Sequence, residues 1–345
     1  MTLFSIPTLH AQTAEQDLNR FPKLTPSRND EPFAKNDSAE KAGEFLDRAA
    51  MGWLRERECA SCHTSYPYLM ARPMLGNRKV DGFIRMRSYL EERVAGWDRG
   101  GKDAGLPKEN DEAVTEIVAT AATLAFDDAQ GSGKLHPRTR QALDRMWSVQ
   151  REDGSWNWNK HELPPQELDE SFGVIYAAWG LGYAPEKYAE TEKARAGLKR
   201  IQSYLSKNPA PHLHHRVWLL WASLRTPGLM TQAERKQTVD KLITLQRKDG
   251  GWCLPSLGKW QRQNGEANDS NAESDGYATG LVLYVLRETG MSAKNEVIQR
   301  GVKWLKSNQR ESGRWFTRSL SNDHAHYNTN AGTAFAVMAL KACKE

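Results

Sequence analysis

The sequence predicts an all-α fold built from two concentric layers of helices, on three observations. One phrase recurs: LDRMWSVQREDGSW ends at Trp156, VDKLITLQRKDGGW at Trp252 and GVKWLKSNQRESGRW at Trp315. In each, apolar residues at i, i+3 and i+4 spacing mark an amphipathic helix that runs into Gln, charged residues, Gly and Trp. Each phrase is followed by a more apolar helix that opens on polar residues. The chain also carries twelve tryptophans in 345 residues, which points to a repeated structural use. A helix apolar all round belongs inside, and one with a single apolar stripe belongs outside.

The elements follow in order. Residues 1–40 read as a leader and linker: LFSIPTLHAQ has a short apolar stretch and then Leu9-His10-Ala11 before Gln12, like the tail of an export signal with its small residue at the cleavage point, and PKLTPSRNDEPFAKNDSAEK is polar and Pro-containing. Residues 41–345 read as one ring. An opening copy, AGEFLDRAAMGWLRERECASCH, carries two cysteines where Gln and Trp stand elsewhere. Less regular helices over 80–94 and 111–127 supply more of the ring. The three phrases alternate with ELDESFGVIYAAWGLG (167–182), ESDGYATGLVLYVLRETG (273–290) and NTNAGTAFAVMALKAC (328–343). A degenerate pair, ARAGLKRIQSYLSKN then HLHHRVWLLWASL, fills the gap between the first two. Glycine ends each outer helix.

Composition narrows the function. The formal charge of +5 is spread along the chain with no basic block, so nucleic-acid binding has no support. No apolar run approaches the ~18 residues that cross a bilayer.

The spacing Gln150…Gly154…Trp156, Gln246…Gly250…Trp252 and Gln309…Gly313…Trp315 resembles the QW repeat of the squalene–hopene cyclase and protein prenyltransferase superfamily. That resemblance implies an α/α toroid in which the Gln and Trp are structural. It also implies where to look for chemistry, at the inner-helix N-termini that open on the central cavity. Glu167, Asp169 and Glu170 in ELDES are similar to the acidic motif of class II terpene cyclases. The likeness makes Asp169 the proton donor, kept protonated by clustered carboxylates. The same pattern is what helix capping and the macrodipole favour without any function. The zinc site of the prenyltransferases is not expected, because Tyr277 stands where that family has Cys two residues after Asp275.

The remaining motif is ECASCH. C-x-x-C-H is the attachment signature of c-type haem: Cys59 and Cys62 would form thioethers and His63 would be the proximal iron ligand. Only four cysteines occur and two are here. A Cys59–Cys62 disulfide, a thiol redox pair or half a zinc site are the alternatives; zinc lacks further paired Cys or His, and a redox pair lacks its βαβ context. Met70 or Met74 is the candidate distal ligand, although both suit apolar filler. His212, His214, His215, His324 and His326 are further candidates at inner-helix starts. CASCHTSYPYLMARP, SDGYATG and NQRESGRWFTRS together resemble bacterial squalene-cyclase-like proteins carrying CxxCH, which implies an exported, periplasmic location.

The expectation is therefore an exported toroid with covalent haem c. It would carry electrons or perform oxidative chemistry on an apolar, isoprenoid-like molecule in the cavity, with a redox partner protein. A class II terpene cyclase using Glu167, Asp169 and Glu170 is the first alternative. A non-catalytic toroid that binds a lipid or partner is the second.

Overall fold

In a computed structural model, residues 18, 20–57, 59–97, 111–159, 164–165 and 169–344 are described. The predicted helices form as twelve α-helices among those residues, six pairs of one outer and one inner helix. The outer set is α1 (Ala39–Arg57), α3 (Asp81–Gly96), α5 (Pro137–Ser148), α7 (Glu192–Lys207), α9 (Gln232–Thr244) and α11 (Glu296–Asn308). The inner set is α2 (Ser65–Ala71), α4 (Asp111–Gln130), α6 (Glu170–Tyr183), α8 (Leu213–Ser223), α10 (Gly276–Glu288) and α12 (Asn328–Ala342). Among the described residues there is no strand, only two isolated bridges.

The inner helices pack in sequence, α2 on α4, α4 on α6, α6 on α8, α8 on α10 and α10 on α12, and α12 packs back on α2. The ring is closed. Burial follows the sequence pattern: α6 is buried at Ser171–Leu181 and Tyr183, whereas α7 buries only Ala194, Gly197 and Ile201. The helices expected over 80–94 and 111–127 are α3 and α4. α2 is shorter than its counterparts. Its Pro67 stands in the first turn, where the missing N–H costs no helical bond, and a 3₁₀ turn over Arg72–Leu75 extends it.

The QW phrases hold the outer ring together. The Gln150 amide donates to the carbonyl of Gly154 (3.1 Å) and to that of Gly197 in α7 (3.2 Å). Gln246 does the same to Gly250 and to Val297 in α11, and Gln309 to Gly313 and to Ser38 beside α1. Each Gln thus ties its own turn to a following outer helix. The indoles are fully buried and each donates to a carbonyl ten residues back: Trp156 to Met146, Trp252 to Leu242, Trp315 to Leu305. Gly250 has φ +96°, and a Cβ there would lie 2.6 Å from the Arg300 carbonyl oxygen, so a side chain fits neither the backbone nor the space.

The stretch read as a linker runs as a strap across the third repeat. Glu31 pairs with the buried Arg314 at 2.6 Å, Arg314 also donates to the carbonyls of Thr25 and Pro26, and Ala34 and Gln309 share a backbone bond. A polar segment with little apolar area of its own is held here by backbone and charge-assisted hydrogen bonds. Residues 1–17, which include the stretch read as the tail of an export signal, lie outside the described residues.

Candidate functional site

The C-x-x-C-H turn, Asp169, His212, His214 and His215 all lie where inner helices begin, whereas Met74 does not. The C-x-x-C-H turn connects α1 to α2, the place that a QW turn takes in three other pairs. Ser61 organises it: its carbonyl accepts from Ser65 (2.9 Å) and Tyr66, and its hydroxyl accepts from the Thr64 N–H. Trp53 of α1 donates its indole N–H to the Cys59 carbonyl at 2.9 Å.

The motif's three chemical groups point in different directions. His63 stacks parallel to Tyr327 at 5.0 Å and meets the edge of Trp53 at 4.6 Å. Its Nδ1 is hydrogen-bonded to Thr64 Oγ1 at 2.7 Å and to Ser61 Oγ at 3.2 Å. Cys62 instead lines the axial cavity, and burial pushes its thiol up to about 12. Burial also raises Cys59, against the lowering effect of the Trp53 hydrogen bond and Arg93. Both are free thiols, not a disulfide, and at neutral pH they are protonated.

The axial cavity between Cys62, Pro67, Met70, Trp158, Phe172 and Trp218 has a volume of about 10 Å³. That is room for about one water rather than for a ligand, because Trp158, Phe172, Tyr176, Trp218 and Phe335 fill the ring. Met70 therefore shares the cavity with Cys62. Met74 does not: it lies beyond the end of α2, in a groove with Tyr284 and Glu288 from the far end of α10.

The acidic phrase does not form a carboxylate cluster among the described residues. Asp169 caps α6, accepting from the Phe172 N–H at 3.2 Å, and meets His215 Nε2 at 3.2 Å. Burial works to raise its pKa, but the His215 hydrogen bond and charge, with the capping bond, outweigh it and hold the carboxyl below its ordinary value. The expected protonated donor is thus an ionised partner of His215, because a histidine rather than a second carboxylate is its neighbour. Glu170 turns outward to Arg151 at 3.9 Å. Glu167 lies outside the described residues.

The histidines expected as distal groups are engaged in the ring itself. His214 Nε2 meets the Tyr277 hydroxyl at 2.8 Å, so the position that fails as a zinc cysteine is a buried phenol bonded to a neighbouring inner helix. His212 packs on Trp260 at 5.2 Å. His326 accepts from the Ser319 N–H, and burial lowers its pKa; with His324 it lines an outer groove beside Asp323. Among the described residues, no group of three or more His, Cys, Asp or Glu side chains converges as a metal site. No helix there is long and apolar enough to cross a membrane.

Sequence reasoning missed the filling of the ring. Phe172, Tyr176, Trp179, Trp218 and Trp221 form a continuous aromatic column, with centroids 5.1 Å apart for Tyr176–Trp179 and 4.9 Å for Trp179–Trp221. The signal was available as aromatic residues three and four apart on two inner helices.

No family model and no curated protein matches the chain. Solved structures do. A possible member of the GH105 family from Klebsiella pneumoniae subsp. pneumoniae MGH 78578 aligns over 99% of this chain and 98% of its own, at 11% identity and a TM-score of 0.50. A possible GH105 member from Salmonella enterica serovar Paratyphi A aligns over 99% and 95% at 12% identity and 0.49. The ent-copalyl diphosphate synthase from Streptomyces platensis aligns over 86% of this chain but 50% of its own length, at 14% and 0.49. At such identities the likeness is one of fold. The chain is an all-helical α/α toroid.

Proposed function

We propose that this toroid is an exported c-type haem protein that transfers electrons. The observation that carries the reading is the connection from α1 to α2: it keeps the place of a QW turn but has two free thiols and an imidazole whose Nδ1 is held at 2.7 Å by Thr64. Fixing one ring nitrogen by hydrogen bonding is how proteins orient a metal-ligating histidine through the other. The residue types are those that hold the group, Cys59 and Cys62 as thioether anchors and His63 as proximal ligand, and attachment would turn the three side chains, which face different ways here, onto one face. Haem would supply a one-electron redox couple. The chain's own residues orient the imidazole: Thr64 and Ser61 hold the angle of His63, while Trp53 and Tyr327 confine its ring. Tyr327 is 43% exposed, which leaves this turn open to a partner protein.

Electron transfer is favoured over oxidation of a large isoprenoid because the axial cavity is small and walled by aromatic rings. A cyclase reading is weakened by Asp169, whose lowered pKa suits a hydrogen-bond acceptor for His215 rather than a strong acid.

Protein made in a host with haem-attachment machinery is expected to show a Soret band that survives acid–acetone extraction. The Cys59→Ala, Cys62→Ala double variant loses it while keeping its helical circular dichroism. His63→Ala abolishes ferricyanide turnover and Asp169→Asn retains most of it. Colourless wild-type protein overturns the proposal, as does a polyene cyclase activity that vanishes in Asp169→Asn and persists in His63→Ala.

A further inference from the structure

The aromatic column leads somewhere. Trp218 and Tyr176 line the cavity that Cys62 faces. From Trp218 the next ring is Trp221 at 5.1 Å, reached also through Trp179 at 4.9 Å. Trp221 donates its indole N–H to the Tyr183 hydroxyl at 2.9 Å, and Tyr183 donates in turn to Glu288 at 3.1 Å. Glu288 is paired with Arg225 at 2.8 Å, and it lines the groove at the far mouth with Tyr284. Rings at such spacings are ordinary core packing. What distinguishes this column is where a proton can go. The indole nitrogens of Trp179 and Trp218 are buried with no hydrogen-bond partner among the described residues. An electron hole on either ring therefore has nowhere to release a proton and does not settle there. Tyr183, with Tyr284 beside it, combines a phenol with an adjacent carboxylate: both rings meet Trp221 and both hydroxyls bond to Glu288.

We propose that the column is an electron relay from the far mouth to the Cys62 mouth. A strong one-electron oxidant at the Cys62 mouth, such as a peroxide-activated redox group, takes an electron from Trp218. Trp221 refills Trp218 and Tyr183 refills Trp221. The O–H bond of Tyr183 breaks as its proton passes to Glu288, leaving a neutral tyrosyl radical and an oxidant reduced by one electron. A one-electron donor at the far groove and return of the proton from Glu288 restore the phenol. The physiological oxidant rests on the haem reading above; the relay itself is a property of the rings.

The test supplies its own oxidant. A ruthenium polypyridyl photosensitiser is attached through a maleimide to Cys59 in the full chain carrying Cys62→Ala, Cys253→Ala and Cys343→Ala, and oxidised by flash and quench. The parent is expected to give a tyrosyl radical by electron paramagnetic resonance. Its yield should drop at least tenfold in Tyr183→Phe, Tyr284→Phe, and its appearance should slow at least tenfold in Trp218→Phe. These substitutions keep a six-membered ring in place, and circular dichroism checks the fold. A parent without a tyrosyl signal, or an undiminished signal in the double variant, overturns the relay. Because no haem takes part, absence of a Soret band defeats the haem reading alone, and a failed flash experiment defeats the relay alone.

Discussion

The turn from α9 to α10 and the turn from α1 to α2 hold equivalent places in the ring, yet they use their side chains in opposite ways. In the first, Gln246, Trp252 and Gly250 all serve the backbone: the amide and indole donate to carbonyls, and the glycine takes a conformation closed to other residues. In the second, the tie comes from outside the turn, from Trp53 on the helix, and from Ser61 within it. Cys59, Cys62 and His63 are thereby relieved of structural duty. A repeat protein can place chemistry where one copy has given up its fastening, provided neighbours fasten that copy instead.

Four measurements break or sharpen this contrast. Trp252→Ala removes a fully buried indole and its hydrogen bond, and should cost about 3–5 kcal/mol in chemical denaturation. A loss below ~1 kcal/mol would mean that the QW turn is not what holds the ring. Gly250→Ala adds one methyl group in a left-handed conformation and against the Arg300 carbonyl, so about 2–4 kcal/mol is expected.

The third concerns Asp275, which caps α10 directly behind Trp252 and whose N–H donates to the Trp252 carbonyl. Burial raises its pKa to about 6 despite the N–H groups of Ala278 and Leu254. The folded state then keeps a proton that the unfolded chain releases near pH ~4. Stability should fall as pH rises through about 4 to 6, by on the order of 2–3 kcal/mol, and Asp275→Asn should flatten that limb of the stability–pH curve. A wild-type curve that is flat or rising over this window contradicts it. The smallest effect belongs to the other turn: Cys59→Ala, Cys62→Ala should change stability by no more than ~1 kcal/mol. A penalty as large as that of Trp252→Ala would make the cysteines structural and erase the contrast.

The ring was legible from residues because its determinants are local. Gln, Gly and Trp at fixed spacing specify a turn, and the alternation of striped and fully apolar helices specifies two layers. The inner helix α2 escaped notice since seven residues with a proline carry too little periodicity. The site was legible only as a list of residues. Nothing in ELDES announces His215, which comes from a helix forty-six positions later, and it is this partner that makes Asp169 an acceptor. His214 and Tyr277 were each conspicuous, one as a candidate distal ligand and one as a missing cysteine, but their pairing is a product of ring closure.

The strap that joins Ser38 to Gln309 and Glu31 to Arg314 spans 271 and 283 residues of chain. Closing so long a loop is cheap at equilibrium, since each doubling of length adds only about 0.6 kcal/mol. It is expensive in time, because contacts so distant in sequence cannot form until the pairs between them have docked. Neighbouring helix pairs can assemble in the order they are made, each supported by the one before. The contact of greatest sequence separation between inner helices is the seal between α12 and α2. Until it forms, the faces of α2 and α12 that meet in the closed ring remain uncovered.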